Sequence, residues 1–368
     1  MVKDEMKQKR ILFIIEILDN GGGAERVISR LTSELSTRHR VYLMYFRNGD
    51  KPYYIAPQVQ LIKPDDNEIA QVQTKDCHIK TALWHLKNYF AVIPKLIEVK
   101  KIKSEYQIDT TVSFLKLGNV VNILAGGKDI KIVSERFDPS KMDLLYRLSA
   151  TFANFFADRV VFQTKRVQNM YCEKVQNKSI VITNPTEVSC GVNAVRTKRI
   201  VTVGRLNRQK NHKLLIRAFA LFHTTHQEYH LHIYGEGGLL DELLQVAGDY
   251  NVSEFVHFDG FRDDVHAAIA DAEQFVLSSN FEGLSNALME AMMMGHACIS
   301  TNCAGSDELI ENEKNGLLVP IGDVNALSKA MCRLSDDSGL RERLGRAAAV
   351  AAQAWKTETV TRLWENIL

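Results

Sequence analysis

The sequence predicts an α/β protein built as two Rossmann-like domains that face each other across a cleft. Three observations predict it. At 368 residues the chain is too long for one ordinary core and suits two domains of usual size. Short apolar runs alternate with stretches of helical period, the pattern of parallel strands with helices on both faces. The alternation also breaks once, near 183–198, and then restarts.

The first series opens with the apolar run 11–15 and continues through strand-like runs at 41–46, 110–114, 131–133, 159–162 and 180–182. Helical periodicity fills 24–35, 93–103 and 144–156 between them. Asn184 and Pro185 then stop the chain, since a residue before proline is driven out of helical backbone. In the second series, 200–203, 229–234, 255–258, 275–277 and 297–300 read as strands, and 212–222, 239–246 and 287–294 as helices. The stretch 340–368 reads as one or two helices whose Trp355 and Trp364 call for a partner surface. The expected division is therefore an N-terminal domain of residues 1–190 and a C-terminal domain of 198–354, with 355–368 packing back on the first.

Hydrophobic residues make up 45% of the chain and charged residues 24%, an ordinary globular balance. Six scattered cysteines without a C-x-x-C pair point to reduced thiols and a cytosolic setting. The run 11–15 is interrupted by Glu16 and Asp19, too short and too acidic for a signal peptide or a membrane span. Charge is divided unevenly. Residues 1–196 hold 30 Lys and Arg against 21 Asp and Glu, a net of +9, whereas 197–368 hold 16 against 23, a net of −7. A basic first half is suited to an anionic partner. No nucleic-acid-binding module is recognisable, so no nucleic-acid partner is expected.

Three segments carry candidate chemistry. Asn20-Gly21-Gly22-Gly23-Ala24-Glu25-Arg26 follows the first strand and opens the first helix. Its glycines permit either a tight turn or close backbone approach to an anion at a helix N-terminus. Gly204-Arg205-Leu206-Asn207-Arg208-Gln209-Lys210 places three cations after a buried strand, where open α/β sheets bind ligands. Arginine offers a fork to phosphate and lysine a point charge. Glu282-Gly283-Leu284-Ser285 then leads into an apolar helix that contains Glu290. A carboxylate inside such a helix needs specific partners, either ligand hydroxyls or a neighbouring basic group. Together the segments outline a phosphate pocket flanked by two carboxylates suited to a polyol.

The set resembles retaining glycosyltransferases of family 4, with the GT-B fold. The resemblance is carried by Gly-Gly-x-Glu-Arg near the N-terminus, G-R-L-x-x-Q-K from Gly204 to Lys210, and Y-G-E-G from Tyr234 to Gly237. F-x-G-F from Phe258 to Phe261 and E-x(7)-E at Glu282 and Glu290 complete it. Ser134-Glu135-Arg136-x-Asp138-Pro139 is similar to members that build bacterial surface polysaccharides or lipid-linked oligosaccharides. The resemblance implies that the N-terminal domain binds acceptor and the C-terminal domain a nucleoside-diphosphate sugar, most often UDP-linked. It implies that Arg205 and Lys210 hold the diphosphate, Glu290 the ribose and Glu282 the transferred sugar, the diphosphate and sugar contacts making Glu282, Arg205 and Lys210 the catalytic set. Phe261 and Arg262 would meet the base, Gly283, Leu284 and Ser285 the phosphates, and Gly22 and Gly23 the diphosphate. Glu25, Arg136 and Asp138 are expected to position sugar or acceptor. Arg136 stands where many relatives carry histidine, which leaves the donor sugar open. No D-x-D triplet occurs, no cofactor or metal is expected, and the alternatives are a sugar-nucleotide epimerase or a non-catalytic binding subunit.

The stretch 80–103 holds six lysines against Glu98 alone, with Leu83, Leu86, Tyr89, Phe90, Ile93, Leu96 and Ile97 at helical spacing. It reads either as a packed helix with a solvated basic face or as one that lies on an anionic membrane. The second reading predicts a cytoplasmic protein, peripheral on the inner face of the cell membrane, acting on a polyprenyl-diphosphate-linked glycan.

Overall fold

A computed structural model describes residues 8–18, 23–48, 54–63, 92–139, 142–189 and 195–368. The chain folds as two compact units, Met1–Pro185 with Val360–Leu368, and Thr186–Thr359.

The first unit is built on a seven-stranded sheet in which every pairing is parallel. Its strands are β1 (Arg10–Leu18), β2 (Arg40–Asn48), β3 (Gln60–Ile62), β4 (Thr110–Phe114), β5 (Ile130–Glu135), β6 (Arg159–Phe162) and β7 (Ser179–Val181), in the order β3-β2-β1-β4-β5-β6-β7. Ile11, Leu12, Phe13, Ile14 and Ile15 are all fully buried, as a central strand covered on both faces requires. The helix Gly23–Leu35 lays Val27, Ile28, Leu31 and Leu35 onto one side of it. Residues 360–368 complete that side. Trp364 stacks on Phe114 with ring centroids 5.9 Å apart, and the Thr110 hydroxyl donates to the Leu368 carbonyl at 2.9 Å.

The second unit carries six parallel strands: β8 (Thr197–Val203), β9 (His230–Tyr234), β10 (Val256–Gly260), β11 (Ala272–Leu277), β12 (Ala297–Thr301) and β13 (Leu317–Val319). Their order is β10-β9-β8-β11-β12-β13. Both orders reverse direction beside the first strand of the series, at β1/β4 and at β8/β11, and such switch points open a crevice at the carboxyl ends of the strands. Met292, Met293 and Met294 are core residues of this unit.

The division differs from the expected one in two places. Residues 186–189 belong to the second unit, because the Thr186 amide donates to the Trp355 carbonyl at 2.7 Å and Ser189 bonds His266. Trp355 is also buried in that unit, so the return to the first begins at Val360 rather than at 355. Strands β3 and β13 are not among those expected from the sequence.

Candidate active site

Strands β8 and β11 lie side by side although two strands and three helices separate them in the chain, with Val201 opposite Phe275. The loops that leave their carboxyl ends therefore meet. These loops are 204–211 and 278–285, the two segments richest in candidate site residues. The Lys210 stem runs along Gly204, where an added Cβ would fall 3.0 Å from Lys210 Cε. Gly235, at φ +138°, presses on the same loop: a Cβ there would fall 2.2 Å from the Gly204 carbonyl oxygen. A side chain at Gly235 would displace the loop, and one at Gly204 would push the Lys210 stem aside. Asn211, in left-handed backbone, ends it and caps the helix His212–His223 by accepting from the Leu214 amide. The second loop is tied to the first from below. The Ser278 hydroxyl donates to the Lys210 carbonyl at 2.9 Å, and the Asn280 side-chain amide donates to the Arg208 carbonyl at 2.8 Å.

Within this frame Lys210 Nζ donates to Glu282 Oε1 at 2.7 Å, and the Ser279 hydroxyl donates to the same oxygen at 2.6 Å. Gln209 Nε2 reaches Glu282 Oε2 at 3.3 Å. The carboxylate is buried, yet three donors surround it, which meets the cost of removing it from water. Arg205 differs. It is exposed and makes no ion pair among the described residues, so its guanidinium fork stands open to an anion. Burial, with the Lys210 charge adding to it, lowers His212 to about 4 and keeps this imidazole at the base of the loop neutral.

Ser285 caps the helix Asn286–Met293 by accepting from the Leu288 amide, so Gly283, Leu284 and Ser285 stand at a helix N-terminus, where amides lack intrahelical acceptors. Gly305 fits against this turn so closely that a Cβ would fall 1.7 Å from the Gly283 carbonyl oxygen. Glu290 is buried on the second turn and lies 3.2 Å from His266 Nε2. The Ser189 amide donates to His266 Nδ1 at 3.3 Å, which leaves the ring proton on Nε2, facing the carboxylate. His266 is four residues past Arg262, so this pair ties the 261–266 segment to the Glu290 helix. Phe261 is exposed, and Arg262 grips Asp264 with two bonds at 2.7 and 2.8 Å.

The remaining predicted residues belong to the first unit. Gly22 lies outside the described residues; Gly23 is exposed and begins a helix whose first turn buries Glu25. Arg136 and Asp138 follow β5 and are both buried. The Arg136 guanidinium lies 4.5 Å from the Phe114 ring centre and donates through Nη1 to Asn184 at 2.8 Å. Its Nε and Nη2 have no acceptor among the described residues, and burial lowers it to about 9. Beside it, burial pushes the Glu135 carboxyl up to about 7, against the opposing pull of Tyr146, whose hydroxyl donates to Oε1 at 2.9 Å. The lysine-rich stretch is described only in part. Leu83, Leu86, Tyr89 and Phe90 lie outside the described residues, while the helix Val92–Glu105 turns Lys103 inward. Lys103 is buried, 3.0 Å from Asp129 Oδ2 and 2.9 Å from Asn122 Oδ1, and so is a structural residue rather than a surface charge.

A family model described as "Glycosyl transferases group 1" matches residues 192–350, the span that holds the β8 and β11 loops. Over nearly the whole chain the sequence is 30% identical to the N-acetylgalactosamine-N,N'-diacetylbacillosaminyl-diphospho-undecaprenol 4-alpha-N-acetylgalactosaminyltransferase of Campylobacter jejuni, covering 96% of this chain and 98% of that one. The chain belongs to the group 1 glycosyltransferases. A second Campylobacter jejuni relative of this glycosyltransferase, GalNAc-alpha-(1->4)-GalNAc-alpha-(1->3)-diNAcBac-PP-undecaprenol alpha-1,4-N-acetyl-D-galactosaminyltransferase, is 26% identical and covers 98% of both chains. The glycosyltransferase shares its fold with the crystal structure of Anabaena Alr3699/HepE in complex with UDP and glucose. The TM-score is 0.76 at 18% identity, over 98% of this chain and 99% of that one. The architecture is GT-B.

Ser279, His266 and Glu135 are the glycosyltransferase residues that sequence reasoning passed over. Ser279 and His266 carry no motif of their own and are found only through the carboxylates beside them. Glu135 does stand in a quoted motif, but its burial depends on residues far away in the chain.

Proposed function

We propose that the chain transfers a sugar, an N-acetylhexosamine or a hexose, from a UDP-sugar to a polyprenyl-diphosphate-linked glycan in bacterial surface polysaccharide synthesis. The observation that carries this is the meeting of Lys210 and Glu282 at the β8/β11 switch point in a group 1 glycosyltransferase, on a loop that also carries the exposed Arg205. The lipid-linked substrates named for the two Campylobacter relatives support the acceptor class.

Breaking the bond from the anomeric carbon to the diphosphate leaves positive character on the sugar and negative charge on the phosphate. Arg205, Lys210 and the amides at 283–285 offset the phosphate charge. Glu282 contacts the transferred sugar and Glu290 the ribose. The acceptor oxygen bonds the anomeric carbon on the face that the phosphate leaves, so configuration is retained, and its proton passes to the departing phosphate. Neither step calls on a metal ion. In this reading the second unit binds donor and the first acceptor, Arg136 and Asp138 act on sugar or glycan, and Gly22 and Gly23 on the diphosphate. Phe261 and Arg262 meet the base. No helix among the described residues is long and apolar enough to cross a membrane, and the basic first half supports a peripheral place on the cytoplasmic face.

Labelled UDP-N-acetylgalactosamine and UDP-glucose, each incubated with and without a polyprenyl-diphosphate glycan and with EDTA, test the reading. Labelled lipid of retained configuration, formed equally in EDTA, is expected. A new nucleotide sugar without acceptor would instead mark an epimerase, and binding without turnover a silent subunit.

A further inference from the structure

The helix Leu144–Phe156 in the first unit is amphipathic the wrong way round for a helix in water. It packs against the helix Leu115–Leu124 and turns Ala150, Ala153 and Asn154 inward. Outward it shows Leu144, Leu145, Leu148, Phe152, Phe155 and Phe156, each between 37% and 67% exposed. At 3.6 residues per turn these six fall within an arc of about 120°. The helix Gly23–Leu35 of the same unit does the opposite and buries Val27, Ile28, Leu31 and Leu35. An outward stripe of large side chains is not a packing remainder, because burying them would have been favourable.

The basic groups around the stripe say what covers it. Lys174 Nζ lies 3.9 Å from the Phe155 ring centre, and Lys178 Nζ donates to the Phe155 carbonyl at 2.7 Å at the helix C-terminus. Lys116 Nζ sits 5.7 Å from the Tyr146 ring centre, and Arg147 is exposed on the helix itself. Residues 143–178 hold six Lys and Arg against three Asp and Glu. We propose that this face docks on an anionic phospholipid bilayer, with the Leu and Phe side chains entering the acyl boundary and the cations meeting lipid phosphates. A second copy of the chain fits less well, since a two-fold interface would set this net-positive face against itself. A bilayer satisfies both the apolar stripe and its basic rim. The inference rests on the lipid-linked acceptor reading for its purpose only, and binding is measured without donor or acceptor.

Flotation of the full chain with phosphatidylcholine vesicles, with and without phosphatidylglycerol, tests it. Binding is expected only with phosphatidylglycerol, and Leu148→Ser/Phe152→Ser/Phe156→Ser should weaken it by about a hundredfold or more. The three positions are exposed, so an unchanged melting temperature serves as the folding control. Independently, Phe152→Trp should add emission that brominated lipid quenches. Absent binding, equal binding by the triple variant, an unquenched tryptophan, or a dimer that the triple variant dissociates without change in vesicle binding would each overturn the proposal. Because transfer to a soluble acceptor is assayed without vesicles, its outcome is separate from this one.

Discussion

Lys210 and Glu282 stand 72 positions apart in the chain, yet their side chains meet at 2.7 Å. The ammonium expected to hold a donor phosphate is thus already engaged by the carboxylate expected to hold the sugar. A diphosphate held there would share Lys210 with Glu282, and the two residues would act as one unit.

Lys210→Ala should lower turnover by about a hundredfold, as loss of a charged donor to the transition state does. The Lys210→Ala/Glu282→Ala double variant should cost clearly less than the two single losses combined, since each partner's removal already breaks the pair. Glu282→Gln frees Lys210 for phosphate and should keep or raise affinity for free UDP while turnover falls. Steady-state kinetics and calorimetry read these effects; additive losses would separate the two roles.

Arg205→Ala isolates charge from structure. The side chain is exposed and unpaired among the described residues, so stability should stay within about 0.5 kcal/mol. Turnover should nonetheless fall by about a hundredfold. Urea unfolding beside an activity assay checks both halves, and a near-normal rate would remove the phosphate assignment.

Glu290 and His266 predict a split of the opposite kind. Glu290→Ala should weaken free UDP by about tenfold, the loss of one or two charged hydrogen bonds. His266→Ala removes the imidazole that stands 3.2 Å from the buried carboxylate and should cost about 1–3 kcal/mol of stability, with a smaller change in UDP affinity. If calorimetry shows UDP indifferent to Glu290→Ala, the ribose role fails.

Glu135 gives a pH signature. Its folded-state value of about 7 lies above that of a free glutamate near 4.3, so the folded chain holds this proton more tightly than the unfolded one. The stability this brings is full below about pH 4, declines as pH rises towards 7, and is gone above it. Glu135→Gln keeps an acceptor for the Tyr146 hydroxyl without the charge. Relative to the wild type it should therefore gain stability between pH 5 and 8, by on the order of 1–3 kcal/mol. Melting curves across that range that stay parallel for both proteins would contradict this.

The central strands were legible because burial on both faces leaves a continuous apolar run such as 11–15, and every one of those residues is buried. Motif segments were legible for the same reason: glycines and charges next to such runs mark strand ends. Their mutual contacts were not, since β8 and β11 become neighbours only through the sheet order. Lys103 shows the limit of reading charge along a helix. Its inward turn is decided by Asp129 and Asn122, which the local period does not contain. The helix Leu144–Phe156 shows the limit of reading period alone: its spacing announces a helix, while the rule that large side chains face inward points to the wrong face.

The return of residues 360–368 to the first unit bears on how the protein is made. Ribosomes deliver a chain in order, and most multidomain proteins finish their first domain early. Here the opening seven strands emerge before Trp364, which stacks on Phe114, and the whole of the second unit must be synthesised in between. Throughout that interval the nascent first unit carries an open apolar seam, a natural handhold for a chaperone. A stop codon placed just before Val360 would then do its damage at a distance, by leaving the second unit whole beside a first unit that lacks its closing residues.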